Sequence, residues 1–377
     1  MRSPKHMRTS PNIFSSADLP LPTLPFDVIS EILARLPVKS LLQFRCVSKS
    51  WKSLISDPKF AKKHLNLSTT RRLLCVSYDN PSYSFILNSY SLQSVFTDTN
   101  YNLTRFKFPV DVISERYSHH LVGSCDGILC VANYRISPDF KPLVILWNPS
   151  IRKYKELPQF ENPAELYRLW LRMTYGFGYD HVSHDYKLLV LYNSDIEHAT
   201  RAKLYTLKAD SWRTIQPFPS DFGTLLTYPR GRYVSGTVNW MTCQRSIVSF
   251  DLVNESYRKI LPPRQQRKPR YLGLSVLRDW LCITYDHDVW VMKEYGILDS
   301  WTKLFNVTHL LNPLSNSFRL TNLLYIFQDD QVLLVFEHFL GRVSLIVYNF
   351  KNDTSKVSSM LKDISEVYVE SLISPWS

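Results

Sequence analysis

The chain has 377 residues, of which 45% are hydrophobic and 14% aromatic, and this composition predicts a packed globular protein and excludes a largely disordered one. Its formal net charge of +12 is uneven, because residues 1–75 contain 13 Lys and Arg but only 4 Asp and Glu. No apolar run reaches the roughly 20 residues that a membrane-spanning helix needs, and no signal-peptide core is visible, so we expect a soluble protein of the cytoplasm and/or nucleus.

The first patterned segment, LPFDVISEILARLPVKSLLQFRCVSKSWKSLI at 24–55, predicts three short amphipathic helices. Apolar residues recur at spacings of three and four along the first of them: Val28, Ile29, Ile32, Leu33 and Leu36. Pro25 suits the first turn of a helix, and Pro37 ends one helix and begins the next. A unit this small needs something to pack against. Pattern alone leaves two alternatives open: a helical cap on the rest of the chain, or a docking surface for another protein.

The next motif is GSCDGILCV, in which Asp126-Gly127 predicts a two-residue hairpin turn. That turn places Cys125 opposite Ile128 and Cys130 opposite Gly123, so the two sulfurs are not partners across the strands. We interpret both cysteines as small core residues. No second Cys/His pair with metal-ligand spacing accompanies them, and we expect neither a metal nor a cofactor.

From about residue 70 the chain predicts strands in a recurring unit. An apolar strand, a polar turn and an aromatic strand recur in VILWNPSIRKYKEL, AKLYTLKADSWRTI and SIVSFDLVNESYRKI. The paired aromatics are seven residues apart: Trp147 and Tyr154, Tyr205 and Trp212, Phe250 and Tyr257. Weaker copies are VWVMKEYGILDSWTKL and LIVYNFKNDTSKV, and FILNSYSLQSVF is a possible early one. Intervals of roughly 40 to 60 residues are typical of propeller blades, with each second aromatic packing on a neighbouring blade.

Catalytic signatures are missing from the sequence. No G-x-S-x-G, H-E-x-x-H or Walker-type phosphate loop occurs, and His181 and His184 fall in a predicted hairpin turn. The basic segment PPRQQRKPR has the prolines of an exposed loop, so nucleic acid is not an expected partner. We therefore expect that the protein is not itself an enzyme.

The segment LPFDVISEILARLPVKSLLQFRCVSKSWKSLISDPKF resembles an F-box along its whole length, with more than a dozen matching positions in order. The resemblance implies docking to the Skp adaptor of an SCF-type cullin-RING ubiquitin ligase. Because that adaptor is acidic in this family, it also accounts for the local positive charge. The positions carried over as the docking surface are Leu24, Pro25, Leu33, Leu36, Leu41, Leu42, Phe44, Val47 and Trp51. Some of these residues must instead hold the helices together, and the sequence does not divide the two sets.

The remainder is similar to plant F-box proteins with an F-box-associated interaction domain, also called F-box/kelch-repeat proteins. The matching phrases are GSCDGILCV, LWNPSIRKYKELP, YGFGYDHVSHDYKLLVL and LYTLKADSWRTI. Only 10 Gly and no repeated double glycine argue against a regular kelch array. The expected fold is thus mainly β with a small α module: a disordered tail at 1–21, a three-helix F-box at 22–67 and an irregular kelch-like β-propeller at 70–377.

The resemblance predicts a substrate receptor that joins a protein target to the Skp adaptor, and through it to cullin and RING subunits, for ubiquitination. The alternatives are a propeller scaffold outside proteolysis or, less favoured, a nucleic-acid-binding protein. In a propeller the strand aromatics are used in packing, so substrate contacts should lie on the long connections 158–174, 216–232 and 262–271. Their aromatic and basic side chains give the candidate substrate residues Tyr167, Trp170, Tyr228, Arg230 and Arg267.

Overall fold

A computed structural model describes residues 24–78, 85–97, 103–109, 117–135, 143–160, 173–194, 199–223, 230–264, 269, 271–310, 318–328, 330–338, 343–361 and 365–376. Four helices open this part of the chain, and a fifth lies between two strands. They are α1 (Phe26–Leu33), α2 (Val38–Phe44), α3 (Lys49–Ser56), α4 (Pro58–Leu67) and α5 (Leu92–Thr97). We call α1 to α4 the helical module.

Local capping explains where the helices of the module begin. Pro25 and Pro37 precede α1 and α2 in extended conformation, and the Oγ of Ser48 accepts a hydrogen bond from the backbone N–H of Trp51 at the start of α3. A carboxylate oxygen of Asp57 accepts from two backbone N–H groups at the start of α4. The three helices predicted within 24–55 are confirmed as α1 to α3, and the F-box segment predicted at 22–67 contains a fourth helix, α4. An Asp cap followed by Pro at the first helical position is a helix-start signal that the sequence reading did not use.

Six four-stranded antiparallel sheets follow, and they are the blades of a β-propeller. Blade 1 contains β24 (Ser365–Val369), β1 (Arg71–Tyr78), β2 (Phe85–Ser91) and β3 (Thr104–Lys107). Blade 2 contains β4 (Tyr117–Cys125), β5 (Ile128–Arg135), β6 (Val144–Asn148) and β7 (Lys153–Glu156). Blade 3 contains β8 (Met173–Asp180), β9 (Asp185–Ser194), β10 (Ala199–Thr206) and β11 (Ser211–Thr214).

Blade 4 contains β12 (Arg232–Val234), β13 (Thr237–Met241), β14 (Ile247–Asp251) and β15 (Ser256–Ile260). Blade 5 contains β16 (Leu272–Leu277), β17 (Trp280–Tyr285), β18 (Asp288–Met292) and β19 (Trp301–Asn306). Blade 6 contains β20 (Phe318–Phe327), β21 (Gln331–His338), β22 (Val343–Asn349) and β23 (Thr354–Leu361). The first-named strand of each blade lies next to the central channel.

Blade 1 closes the ring because it combines strands from both ends of the chain. The C-terminal strand β24 pairs antiparallel with β1, and Leu73 lies opposite Val367. Beyond β24, the side-chain amide of Asn148 donates to the carbonyl oxygens of Ser371 and Ile373, at 3.1 and 2.8 Å. These contacts fasten the C-terminal segment to blade 2.

The antiparallel order gives the propeller two different faces. In blades 2 to 6 the turn after the inner strand and the turn after the third strand lie on one face, which we call the proximal face. The strand ends that flank the other connections, including those from one blade to the next, lie on the distal face. The module packs on the proximal face, where Leu33, Ile55 and Phe60 share one apolar core with Cys125 and Tyr186. The sequence-based alternative of a helical cap on the propeller is therefore confirmed.

The aromatic pairs predicted from the repeats are direct partners across the third and fourth strands. Trp147 lies opposite Tyr154, Tyr205 opposite Trp212 and Phe250 opposite Tyr257. Each hairpin also receives an aromatic ring from the segment that follows the preceding blade. Phe108 packs edge-on against Trp147, and Phe218 packs edge-on against Tyr257. Phe160 packs against Trp212 with the two rings tilted by 51°. The early copy at 85–96 is not a hairpin, because β2 runs directly into α5.

The Asp126-Gly127 turn also has the predicted register. Cys125 pairs with Ile128, and Gly123 pairs with Cys130. Asp126 and Gly127 have φ of 53° and 83°, as a type I′ turn requires. Both cysteines are free and buried, which confirms that they are core residues.

Candidate functional site

The helical module has its own interior, which decides which predicted docking residues are accessible. Leu33 and Leu41 are almost fully buried, together with Val38 and Ile55. Their side chains hold the helices to one another and to the propeller, so a partner that docks on this surface does not reach them. Assigning Leu33 and Leu41 to the docking surface is corrected for this reason.

An apolar surface remains on the outside of the module. Its members lie before α1, on the outer side of α1, and after α2: Leu24, Phe26, Val28, Ile32 and Val47. Ile32 is 48% exposed and Val47 is 62% exposed, although both side chains are fully apolar. We call these five residues the apolar face. Pro25, another predicted docking residue, is exposed beside them.

Four predicted docking residues are half-buried between the apolar face and the interior. Leu36, Leu42, Phe44 and Trp51 all pack partly against the common core. The rings of Phe44 and Trp51 meet edge to face, with centroids 5.6 Å apart. This contact fixes the orientation of α3 on α2, and the outer edges of both rings remain accessible.

The docking surface predicted from the sequence did not include three members of the apolar face. Val28 and Ile32 were recognised as helix-face residues, and Phe26 was not singled out. Val28 and Ile32 lie four residues apart on one side of α1, whereas Leu33 points inward. Their spacing was visible in the sequence, but the broad stripe did not reveal which part would be covered.

The helical module carries an excess of positive charge. Residues 24–67 contain eight Lys or Arg and three Asp or Glu, and Lys39, Lys49 and Lys52 are exposed. Positive charge on the same module favours an acidic partner and speeds its encounter. An exposed apolar patch is typical of a protein–protein contact.

One lysine of α4 connects the module to the propeller. The ammonium of Lys62 donates to a carboxylate oxygen of Asp126 at 2.6 Å and to the hydroxyl of Tyr186 at 3.1 Å, and it lies 3.6 Å from the centre of the Tyr179 ring. Burial and the neighbouring Asp126 raise the pKa of the Tyr186 hydroxyl, which therefore stays protonated and donates to Asp126 at 2.8 Å. These contacts orient the apolar face relative to the propeller.

On the propeller, only one of the five candidate substrate residues can be placed. Tyr167, Trp170, Tyr228 and Arg267 lie outside the described residues. Arg230 is described, and it lies just before β12 at the distal end of the channel. Its guanidinium donates to the carbonyl oxygen of Leu121 at 2.6 Å and lies 3.4 Å from a carboxylate oxygen of Glu366.

The described residues offer little for catalysis or metal binding. No group of three or more His, Cys, Asp or Glu within this part of the chain is arranged to hold a metal ion. Burial raises the pKa of the Cys130 and Cys282 thiols, which removes their nucleophilic form at neutral pH. No helix in the same described ranges is long and apolar enough to cross a membrane.

Comparisons with known proteins agree with the two-part architecture. Residues 21–63 match the F-box domain, and residues 82–375 match the F-box associated beta propeller domain. The F-box/kelch-repeat protein At3g23880 of Arabidopsis thaliana is 30% identical over 373 residues, which cover 93% of this chain and 96% of that protein. The F-box protein CPR1 of the same plant is 28% identical over 390 residues, covering 93% and 87%.

Among solved structures, TolB from Acinetobacter baumannii is similar to 83% of this chain and to 69% of its own, at 10% identity and a TM-score of 0.46. F-box proteins are in general adaptors rather than enzymes, and the matches indicate no catalytic activity. The family match spans most of the propeller, and the similarity to the plant protein extends over nearly the whole chain. The chain belongs to the family of F-box proteins that carry an F-box-associated β-propeller domain.

Proposed function

We propose that this protein is the substrate-recognition subunit of an SCF-type cullin-RING ubiquitin ligase. The apolar face of the F-box binds a Skp-type adaptor, which connects the chain to cullin and RING subunits, and the propeller holds the target protein. The observation that carries the proposal is the apolar face itself, exposed on a domain that matches the F-box. Each Leu, Ile or Phe side chain that becomes fully buried in a complex contributes about 1.5–3 kcal/mol, so several together support stable binding.

Two substitutions on α1 test adaptor binding. Val28→Glu combined with Ile32→Glu places two charges where the adaptor would bury apolar side chains, and capture should fall at least tenfold. Val357→Glu is a matched control, because Val357 is 58% exposed on β23, the outer strand of blade 6. Melting temperatures of both variants verify folding. Undiminished capture by the α1 double variant would remove the apolar face from the proposed docking surface.

The predicted positions before and after these helices complete the docking assignment. Replacing Leu24 and Pro25 with Ala should also weaken capture, because both are exposed next to α1. We propose further contacts at the accessible outer edges of five side chains: Leu36, Leu42, Phe44, Val47 and Trp51.

The ligase role is tested by affinity capture while the proteasome and cullin activation are blocked. This treatment retains short-lived target proteins together with the adaptor. Captured partners are then offered to a reconstituted ligase, and ubiquitin should be transferred to at least one of them only when this chain is present. The alternative, a propeller scaffold outside proteolysis, is favoured if stable partners are captured but none is ubiquitinated.

The connections that link successive blades are the proposed substrate contacts. Residues 158–174, 216–232 and 262–271 each join the outer strand of one blade to the inner strand of the next, so their flanking strand ends lie on the distal face. Replacing each connection with a Gly/Ser linker should abolish substrate capture in at least one case and leave adaptor binding intact. If substrate is lost only when the propeller unfolds, or is never lost, this placement is wrong.

The proposal also covers the cellular location of the protein and the possibility that it binds nucleic acid. We propose residence in the cytoplasm and/or nucleus, which a fluorescent fusion in source tissue tests directly. Nucleic-acid binding through the basic residues of the F-box is the less favoured candidate. This function would require that the protein retains RNA or DNA and that its affinity falls steeply as the salt concentration rises.

A further inference from the structure

The centre of the propeller contains a cavity of about 770 Å³. Residues from the inner strands of all six blades line it, among them Ser124, Phe177, Arg232, Asn322 and Glu366. This volume lies within the range of about 300–1,000 Å³ that is usual for ligand pockets in proteins. The lining is polar enough to recognise a charged group, because it includes Arg232, Asn322 and Glu366.

Two arginines of the distal half of the channel converge on one carboxylate. Arg232, the first residue of β12, and Arg230 just before it both direct guanidinium groups toward Glu366 in β24. The distances to the same carboxylate oxygen are 3.4 Å from Arg230 and 3.5 Å from Arg232. Charge-assisted hydrogen bonds of this type are usually about 2.7–2.9 Å long. Glu366 therefore holds the two cations near each other through long contacts.

Backbone carbonyl groups keep the two guanidinium groups in position. Arg230 donates to the carbonyl of Leu121 in β4 at 2.6 Å, and the Nε of Arg232 donates to the carbonyl of Leu274 in β16 at 3.1 Å. Both arginine side chains and Glu366 are about four-fifths buried. Because water is partly excluded, their charges act more strongly on a bound ion than exposed charges would.

His120 is affected by the positive charge of Arg230. Burial, and secondarily the positive charge of Arg230, lower the pKa of His120 to about 4. His120 is thus neutral at pH 7 and adds no charge of its own. Its unfavourable protonation is consistent with positive potential at this part of the channel.

We propose that the distal mouth of the channel binds a carboxylate group of a peptide from the captured protein, with Arg230 and Arg232 as its ligands. This inference rests on the proposed function as a substrate receptor. Glu366 is an internal carboxylate that keeps both guanidinium groups oriented when no peptide is bound. The planar forks of the arginines match carboxylate geometry.

A carboxylate fits this site better than a phosphate group. The incoming anion lies close to Glu366, and the doubly charged phosphate is repelled by that group more strongly than a singly charged carboxylate. Two guanidinium groups with two carboxylates form an electrically balanced cluster. The carboxylate can belong to an Asp or Glu side chain or to the end of a polypeptide.

Peptide arrays test the proposal with the full-length chain bound to its adaptor. Randomised ten-residue peptides are printed in matched forms: with a free C-terminal carboxylate, with a C-terminal amide, and with internal Asp or Glu replaced by Asn or Gln. Phosphoserine peptides form a fourth set. Binding should depend on a carboxylate, and comparison of the sets identifies whether it is terminal or from a side chain.

Two substitutions should change the affinity of the selected peptide in opposite directions. Arg232→Gln should weaken binding tenfold or more, because a hydrogen bond to a charged group is lost. Glu366→Gln should strengthen binding roughly fivefold, because a like charge near the ligand is removed. Arg278→Gln is the control, since Arg278 lines the same cavity at its proximal end and should leave the affinity unchanged.

A purely structural role for the cluster gives a different result. Arg232→Gln and Glu366→Gln would then both lower the melting temperature, and neither would alter peptide affinity selectively. That outcome overturns the proposal, and so does undiminished binding of peptides that lack both the terminal carboxylate and internal Asp and Glu. Preferred binding of phosphoserine peptides also overturns it. Adaptor capture is measured in the same samples. If the unmodified chain does not capture the adaptor, the ligase role is refuted. If it captures the adaptor but peptide binding does not depend on a carboxylate, only this inference is refuted.

Discussion

Replacing Lys62 with Met should loosen the contact between the F-box and the propeller. Met keeps most of the apolar length of the side chain but removes the ammonium that contacts Asp126, Tyr186 and the Tyr179 ring. The Lys62 and Asp126 side chains are 35% and 26% exposed, so solvent weakens the ion pair. An exposed ion pair contributes about 0.2–1 kcal/mol and an exposed cation–π contact about 0.5–1 kcal/mol. The expected loss is therefore about 1–2 kcal/mol.

A double-mutant cycle with Asp126→Asn isolates the ion pair from the other contacts. We expect a coupling free energy of about 1 kcal/mol, because the two charged atoms are only 2.6 Å apart and partly shielded. Hydrogen exchange of the α4 backbone amides measures the local opening free energy, which is preferable to global unfolding for a protein of two units. The coupling should shrink as salt concentration rises.

The adjacent lysine is a matched control for this cycle. Lys63 also pairs with a carboxylate, that of Glu31, but both partners belong to the F-box. Lys63→Met should leave the opening of α4 from the propeller nearly unchanged. A coupling below about 0.3 kcal/mol for Lys62 and Asp126, or an equal effect of Lys63→Met, would refute the reasoning, because such small values are within the usual error of additivity.

Three further outcomes are expected. Gly127→Ala should destabilise the fold by about 1–3 kcal/mol in chemical denaturation, because φ is 83° and the new Cβ would lie 2.4 Å from the Oγ of Ser371; unchanged stability would contradict the turn geometry. Asn148→Ala should cost about 1–3 kcal/mol, because it leaves buried carbonyl groups of the C-terminal segment unpaired, and limited proteolysis should then release that segment. The pKa of His120 is lowered to about 4 in the folded protein, so the unfolded state binds more protons between about pH 4 and 6.5, and stability should fall as pH decreases through this window. His120→Gln should flatten that pH dependence, and an identical slope in the variant would count against it.

Local features of the fold follow directly from the sequence. The Asp-Gly turn determines the register of β4 and β5, because only residues that tolerate positive φ fit a two-residue type I′ turn. The seven-residue spacing of Trp147 and Tyr154 determines their cross-strand pairing, because the connecting turn is short. Pro25 and Pro37 mark helix starts for an equally local reason, the missing backbone N–H. The fourth helix was predictable from Asp57 and Pro58 by the same rules.

Only the tertiary structure divides the apolar stripe of α1 into two sides. Leu33 and Ile32 are adjacent in the sequence and almost equal in hydrophobicity, yet one is buried and the other is exposed. Which side is covered depends on the angle at which α1 meets α2 and α4 and on the position of the propeller, and neither is encoded in helical spacing.

The sequence also does not determine which residues far apart in the chain contact one another. Six blades close because β24 pairs with β1, and Arg230 meets Glu366, 136 residues further along the chain, inside the channel. Local patterns indicate which segments form strands and how strands adjacent in the sequence pair. The number of blades, however, depends on how all the sheets pack around one axis. The F-box and the propeller repeats were thus readable from the sequence, whereas the exposed apolar face and the charged channel are defined only by the tertiary structure.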